Sequence, residues 1–152
     1  MRRIFALAAL MLLVPEAAWA VCVPALSVSA TTLNFGIYDP SAGAADKSTA
    51  TISLQCTIGL LPSFSVALST GGSGSYTMRR MTNGGDALNY NLYTDPNGTM
   101  IWGDGSGGTS IDSFDGLISL GTTTFTVYGA VPQGQYSAPG AFADTITVTV
   151  TY

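Results

Sequence analysis

The sequence predicts an all-β fold, an antiparallel sandwich of short strands, and three observations carry that expectation. The chain ends in strict alternation: Ile146, Val148, Val150 and Tyr152 fall on one face, and Thr145, Thr147, Thr149 and Thr151 on the other. A period of two is the mark of a half-buried strand. Shorter alternating runs recur upstream, separated by Gly-, Pro-, Asn- and Asp-rich turns. Finally, Thr, Ser, Gly, Val and Tyr abound, whereas Glu, Lys and Arg are scarce. The scarce residues are good helix formers, and the abundant ones favour strands and turns.

Taken in order, the first 20 residues read as a secretory leader. Arg2 and Arg3 precede an apolar run from Ile4 to Val14, and Ala18-Trp19-Ala20 offers a small-x-small cleavage site. The run is too short to span a bilayer, so no transmembrane anchor is expected. Cleavage after Ala20 leaves residues 21–152 as one domain. Residues 25–28 could fold back onto a sheet edge. Leu33-Asn34-Phe35 is a short strand candidate, and 41–47 is a polar loop. Residues 51–56 place Ile52, Leu54 and Cys56 on one face. Residues 63–69 do the same with Phe64, Val66 and Leu68, and 88–93 and 124–128 repeat the pattern. Turn signals stand at 39–40, 71–74, 83–85, 95–98, 103–108 and 132–134.

Beyond the leader, three cations (Lys47, Arg79 and Arg80) face eight Asp, with no Glu and no His. A chain this acidic, with no basic patch, is not expected to bind nucleic acid. Without His there is no Ser-His-Asp or Cys-His catalysis and no His-ligated metal. No nucleophile elbow is present, and Asp112 and Asp115 lack the matched loops of an aspartic dyad. No catalytic residue, cofactor or metal site is therefore expected. In a secreted chain, Cys22 and Cys56 read as a disulfide. In the chain-entropy model such a bridge contributes about 3–4 kcal/mol.

Three motifs invite a functional reading. Residues 102–109 (WGDGSGGT) suggest either a calcium or sugar loop or a tight turn anchored by Trp102. EF-hand spacing fails, which favours the turn. Arg79-Arg80, flanked by Met78 and Met81, is either a small anion or partner site or a strand pair. In the latter, one Arg points outward and the other lies against an Asp. Asn97-Gly98-Thr99 is a glycosylation sequon that also reads as turn chemistry.

Several strings together resemble the spore coat protein U domain family, which includes pilus subunits of archaic chaperone–usher systems. They are Cys22, LNFGIYDP at 33–40, ISLQC at 52–56, MRRM at 78–81, LNYNLY at 88–93, WGDG at 102–105, VYG at 127–129, PQGQ at 132–135 and DTITVTV at 144–150. The resemblance implies an immunoglobulin-like sandwich missing its final strand. It implies a groove for a donor strand, with Ile146, Val148, Val150 and Tyr152 on its floor and Leu33 and Phe35 on the facing edge. The implied partners are a periplasmic pilus chaperone, an outer-membrane usher and neighbouring pilus subunits. Cleavage after Ala20 leaves only Val21 before Cys22. The expectation is then a subunit that accepts a strand without giving one, at or near a fibre tip, in adhesion or biofilm formation. The competing expectations are a spore coat or extracellular matrix protein and a carbohydrate-binding module. In the latter, exposed Tyr side chains and Trp102 would stack on a surface glycan.

Overall fold

The structure, a computed structural model, describes residues 26–61, 63–115, 118–138 and 140–152. It is all-β and antiparallel, as the alternation predicts. The eight strands are β1 (Leu26–Ala30), β2 (Asp46–Leu61), β3 (Phe64–Leu68), β4 (Arg79–Asn83), β5 (Asp86–Tyr93), β6 (Asp112–Phe114), β7 (Ile118–Val131) and β8 (Val148–Thr151). One sheet has the order β1-β2-β7-β5-β4 and the other β6-β3-β8. Among the described residues the helical content is a three-residue 3₁₀ turn, Gly71–Ser73. No helix there is long and apolar enough to cross a membrane.

Pairing of β2 with β7 forms the centre of the larger sheet, in register from Asp46↔Val131 to Cys56↔Gly121, with an irregularity before Leu60↔Ser119. The inward positions of these strands are Ala50, Ile52, Leu54 and Cys56 facing Phe125, Val127 and Val131, all buried. From the smaller sheet come Phe64, Val66 and Leu68, equally buried. Such side chains each contribute roughly 1.5–3 kcal/mol through burial. A tight two-residue loop, Gly84-Gly85, joins β4 to β5 where Asn83 pairs with Asp86. Gly84 has φ +60°, a value favoured in primed hairpin turns and hard for other residues to adopt.

Three elements differ from expectation. The polar stretch ending at Lys47 is loop only to Ala45, because Asp46 and Lys47 already pair with Val131 and Ala130. Residues 33–35 form no strand. The ladder between β1 and β2 ends near Thr31, whose N–H donates to Thr51 O and whose hydroxyl accepts from Thr51 N. The chain then turns inward so that Leu33 and Phe35 lie over Gly129. A Cβ on Gly129 would stand only 2.8 Å from Leu33 Cδ1 and Phe35 Cζ, so the missing side chain makes room for both. The last strand is also shorter than its alternation. Its ladder with β3 stops at Leu68↔Val148, since beyond it Ser69 Oγ accepts from Thr147 N. The in–out pattern nevertheless extends back to Phe142. Cys56 is 2 % exposed, whereas Cys22 and the leader lie outside the described residues.

Candidate functional site

The two sheets do not close on each other along one side. Among the described residues, β1 of the larger sheet pairs with β2 alone, and β8 of the smaller one with β3 alone. Between these edges runs a groove of about 400 Å³, predominantly apolar. One wall is the segment 30–35 that continues β1. The other is the approach to β8, with Phe142, Ile146 and Val148. Ile52, Leu68, Leu92 and Val127 form the floor. Each side chain arrives through strand periodicity, because alternate residues face the same side.

Of the residues expected to line a donor groove, Leu33, Phe35, Ile146 and Val148 meet in this cavity. Val150 is half-buried against the core but is not among the lining residues. Tyr152 lies past the end of β8, is 55 % exposed and does not line the groove, because the ladder with β3 stops at Ser65↔Thr151. Sequence reasoning missed Phe142, Met81, Tyr90 and Asp144. For Phe142 and Asp144 a signal existed, since both continue the two-residue period upstream of Ile146. Counting the inward face from Ile146 left both of them out.

Asp144 occupies an inward position, and its carboxylate is satisfied locally. It accepts from the Tyr90 hydroxyl at 2.7 Å, from Gly72 N at 2.9 Å and from Thr145 N at 2.8 Å. Tyr90 packs edge-on against Phe35 with ring centroids 6.1 Å apart. Burial, then the bond to Asp144, pushes the Tyr90 phenol well above its ordinary pKa. A folded-state value above the unfolded one means that the neutral phenol's contribution is intact below about pH 10 and is lost as pH rises further. The urea midpoint is therefore expected to fall above that pH, and to fall less steeply in Tyr90→Phe. Equal slopes in the two proteins would exclude Tyr90 as the source.

Behind the groove lies a buried cation. Arg79 is fully buried on β4 while Arg80 is exposed, so the pair does divide between inside and outside. Among the described residues no Asp forms an ion pair with it. Arg79 Nε and Nη2 donate to Ser69 O at 3.0 and 2.8 Å, Nη2 also to Trp102 O at 2.6 Å, and Nη1 to Asn91 Oδ1 at 2.7 Å. The Tyr76 ring lies 5.4 Å from the guanidinium carbon. Burial lowers the Arg79 pKa, opposed by Tyr90, Tyr76 and Asp144, yet an arginine stays charged in such a site. A ring of carbonyls around a planar fork fastens three separate segments, at 69, 91 and 102.

The Gly-rich run after Trp102 is a turn. Asp104 Oδ1 accepts from Ser106 N and Oγ, and Thr109 Oγ1 donates to Ser106 O. Gly103 must lack a side chain, since a Cβ there would sit 2.5 Å from Thr109 Oγ1. Trp102 itself is completely buried, with Nε1 donating to Val66 O at 2.8 Å and its ring edge-on to Phe125. It cannot stack on a glycan or touch a surface, which removes it from the carbohydrate reading. Among the described residues no cluster of three or more His, Cys, Asp or Glu could hold a metal. The sequon likewise sits in a turn, organised by Asp95.

The geometry has counterparts among known proteins. The family model described as the Spore Coat Protein U domain matches residues 8–149. The chain belongs to this family. A curated relative, Protein U of Myxococcus xanthus, is 37 % identical over 140 residues, covering 80 % of this chain and 72 % of that protein. A solved structure with the same fold is the CsuC–CsuE chaperone–tip adhesion subunit pre-assembly complex from archaic chaperone–usher Csu pili of Acinetobacter baumannii. There the TM-score is 0.55 at 17 % identity over 84 % of this chain. This spore coat protein U domain spans about two fifths of the chain it matches in that complex, 40 %.

Proposed function

We propose that the chain is a structural subunit of a surface fibre of the archaic chaperone–usher kind, and that its groove accepts a strand from a partner. The observation that carries this reading is the apolar groove between the edges of β1 and β8, each left with one open side by the described residues. Unpaired edges beside apolar surface are an aggregation hazard unless another strand covers them. An added strand would gain main-chain hydrogen bonds from the edge and fill pockets with alternate side chains. A periplasmic chaperone is the first occupant, and a neighbouring subunit delivered at an outer-membrane usher replaces it. The leader at 1–20, the domain at 21–152 and a Cys22–Cys56 disulfide belong to the same reading, since all suit an exported protein. So does a place at or near the tip, because the Csu subunit of the matching complex is named a tip adhesion subunit. The family name keeps a coat protein as the second reading; that protein would need no chaperone.

The test is capture of a chaperone co-expressed in the periplasm. Val148→Asp puts a charge on the groove wall and is expected to reduce co-purification at least tenfold, as burying an unpaired carboxylate costs several kcal/mol. Thr149→Asp, on the outward side of the same strand, leaves capture unchanged. A peptide that fills the groove at 100 times its Kd is expected to add about 2.7 kcal/mol to stability. Equal capture by both variants, or a chain that folds cooperatively alone and ignores the peptide, would sink the reading.

A further inference from the structure

The outward face of the larger sheet holds a second concavity, of about 460 Å³, which shares no lining residue with the groove. Its position follows from register. Thr49 pairs with Tyr128 and Tyr128 with Tyr93, so these three form one row across β2, β7 and β5. In the next outward row Lys47 pairs with Ala130. Strands lie about 4.8 Å apart and outward residues about 7 Å apart along a strand, so the side chains share a tile roughly 10 Å by 7 Å. Ala130 keeps the floor low between taller neighbours. The turn 96–98 walls one end.

Two features make this a built site rather than a bare sheet face. The Tyr93 ring rests on the turn at Gly98, where a Cβ would stand 3.6 Å from Tyr93 Cε2. That turn is held by Asp95, whose two oxygens accept from Asn97 N, Thr99 N, Thr99 Oγ1 and Met100 N. Those bonds hold the Asp95 carboxyl below its usual range, led by the one from Met100. The aromatic wall is thus set before any ligand arrives. The functional groups of the site are meanwhile uncommitted: among the described residues no hydrogen bond engages the Tyr93 or Tyr128 hydroxyl, and no ion pair engages Lys47. Lys47 is exposed, and it is one of three cations in residues 21–152.

We infer that this concavity binds a pyranose bearing a carboxylate, as in the uronic acid units of an acidic polysaccharide. Tyrosine faces take the apolar C–H side of a sugar ring, and phenol and Thr49 hydroxyls pair with its hydroxyls. Lys47 supplies the charge complement that selects an acidic sugar over a neutral one. The volume falls in the ordinary range for small-ligand sites. The Lys47–Tyr128–Tyr93 site stands whether or not the groove takes a donor strand.

The experiment titrates the full chain, together with any partner in its groove, with trigalacturonate and with maltotriose, read by saturation-transfer NMR. Trigalacturonate is expected to bind, with saturation on its ring protons, and maltotriose to bind at least tenfold more weakly. Lys47→Gln, an exposed change that leaves the fold intact, is expected to lower uronate affinity about tenfold, the scale of one charge-assisted hydrogen bond. Tyr128→Ala is expected to lose the ring-proton signal. Equal binding of the two trisaccharides, no binding of either, or unchanged affinity in Lys47→Gln overturns the inference.

Discussion

Trp102→Ala is expected to destabilise the domain by about 4 kcal/mol, the usual cost of emptying a large buried aromatic site. Trp102 is 0 % exposed, so none of its surface is spared that cost. Its indole also donates to Val66 O, in the middle of β3. Removing it leaves a cavity between the sheets and a buried carbonyl without its donor. Because a domain of this size is stable by only about 5–15 kcal/mol, the change is expected to remove roughly a quarter to four fifths of the urea denaturation free energy, as followed by circular dichroism. Trp102→Phe refills most of the volume but not the hydrogen bond, and is expected to lie between the two. A loss below about 1 kcal/mol in Trp102→Ala, within the range of surface changes, would show that the ring is dispensable to the sandwich.

Arg79→Met is expected to cost about 3 kcal/mol. The substitution keeps the aliphatic bulk and deletes every donor, so Ser69 O, Trp102 O and Asn91 Oδ1 lose a charged partner together. Each buried acceptor left unpaired costs about 1–3 kcal/mol, reduced where water can enter. Arg79→Lys is the informative control. An ammonium is a point donor on a flexible stem and cannot reproduce the planar fork across three segments. It is expected to recover less than half of the loss, measured by the same urea titration. Full recovery would mean that the charge alone, without the fork geometry, holds the segments.

The two changes probe one construction. Trp102 sits behind β3, and its carbonyl accepts from Arg79, which also holds Asn91 on β5 and Ser69 after β3. Ser69 in turn ties the approach to β8 through its Oγ and N–H. The wall of the groove at Ile146 and Val148 is thus fastened to the core through a chain of hydrogen bonds. In this structure the back of the groove is tied by hydrogen bonds, which would suit the proposed strand-accepting site. Uronate selection at Lys47 would add a recognition surface on the opposite face.

What the sequence determined by itself was everything set by neighbours within a strand. Alternation at 52–56, 64–68, 88–92 and 146–150 fixed which side chains face inward, because successive residues of a pleated strand point to opposite faces whatever they pair with. Turn residues such as Gly84-Gly85 marked the hairpin for the same local reason. Only the tertiary structure decided where those faces meet. Residues 33–35 alternate as a strand would, yet they leave the sheet because Gly129, almost a hundred positions away, opens a space for them. Arg79 reads as part of a small anion site or as a strand arginine held by an Asp, until carbonyls from 69 and 102 surround it. Tyr152 keeps perfect alternation and still lies outside the groove, because β8 ends at Thr151 and its ladder with β3 stops at Ser65↔Thr151. In each case the deciding contact joins segments far apart in the chain, and no periodicity along one of them encodes the other.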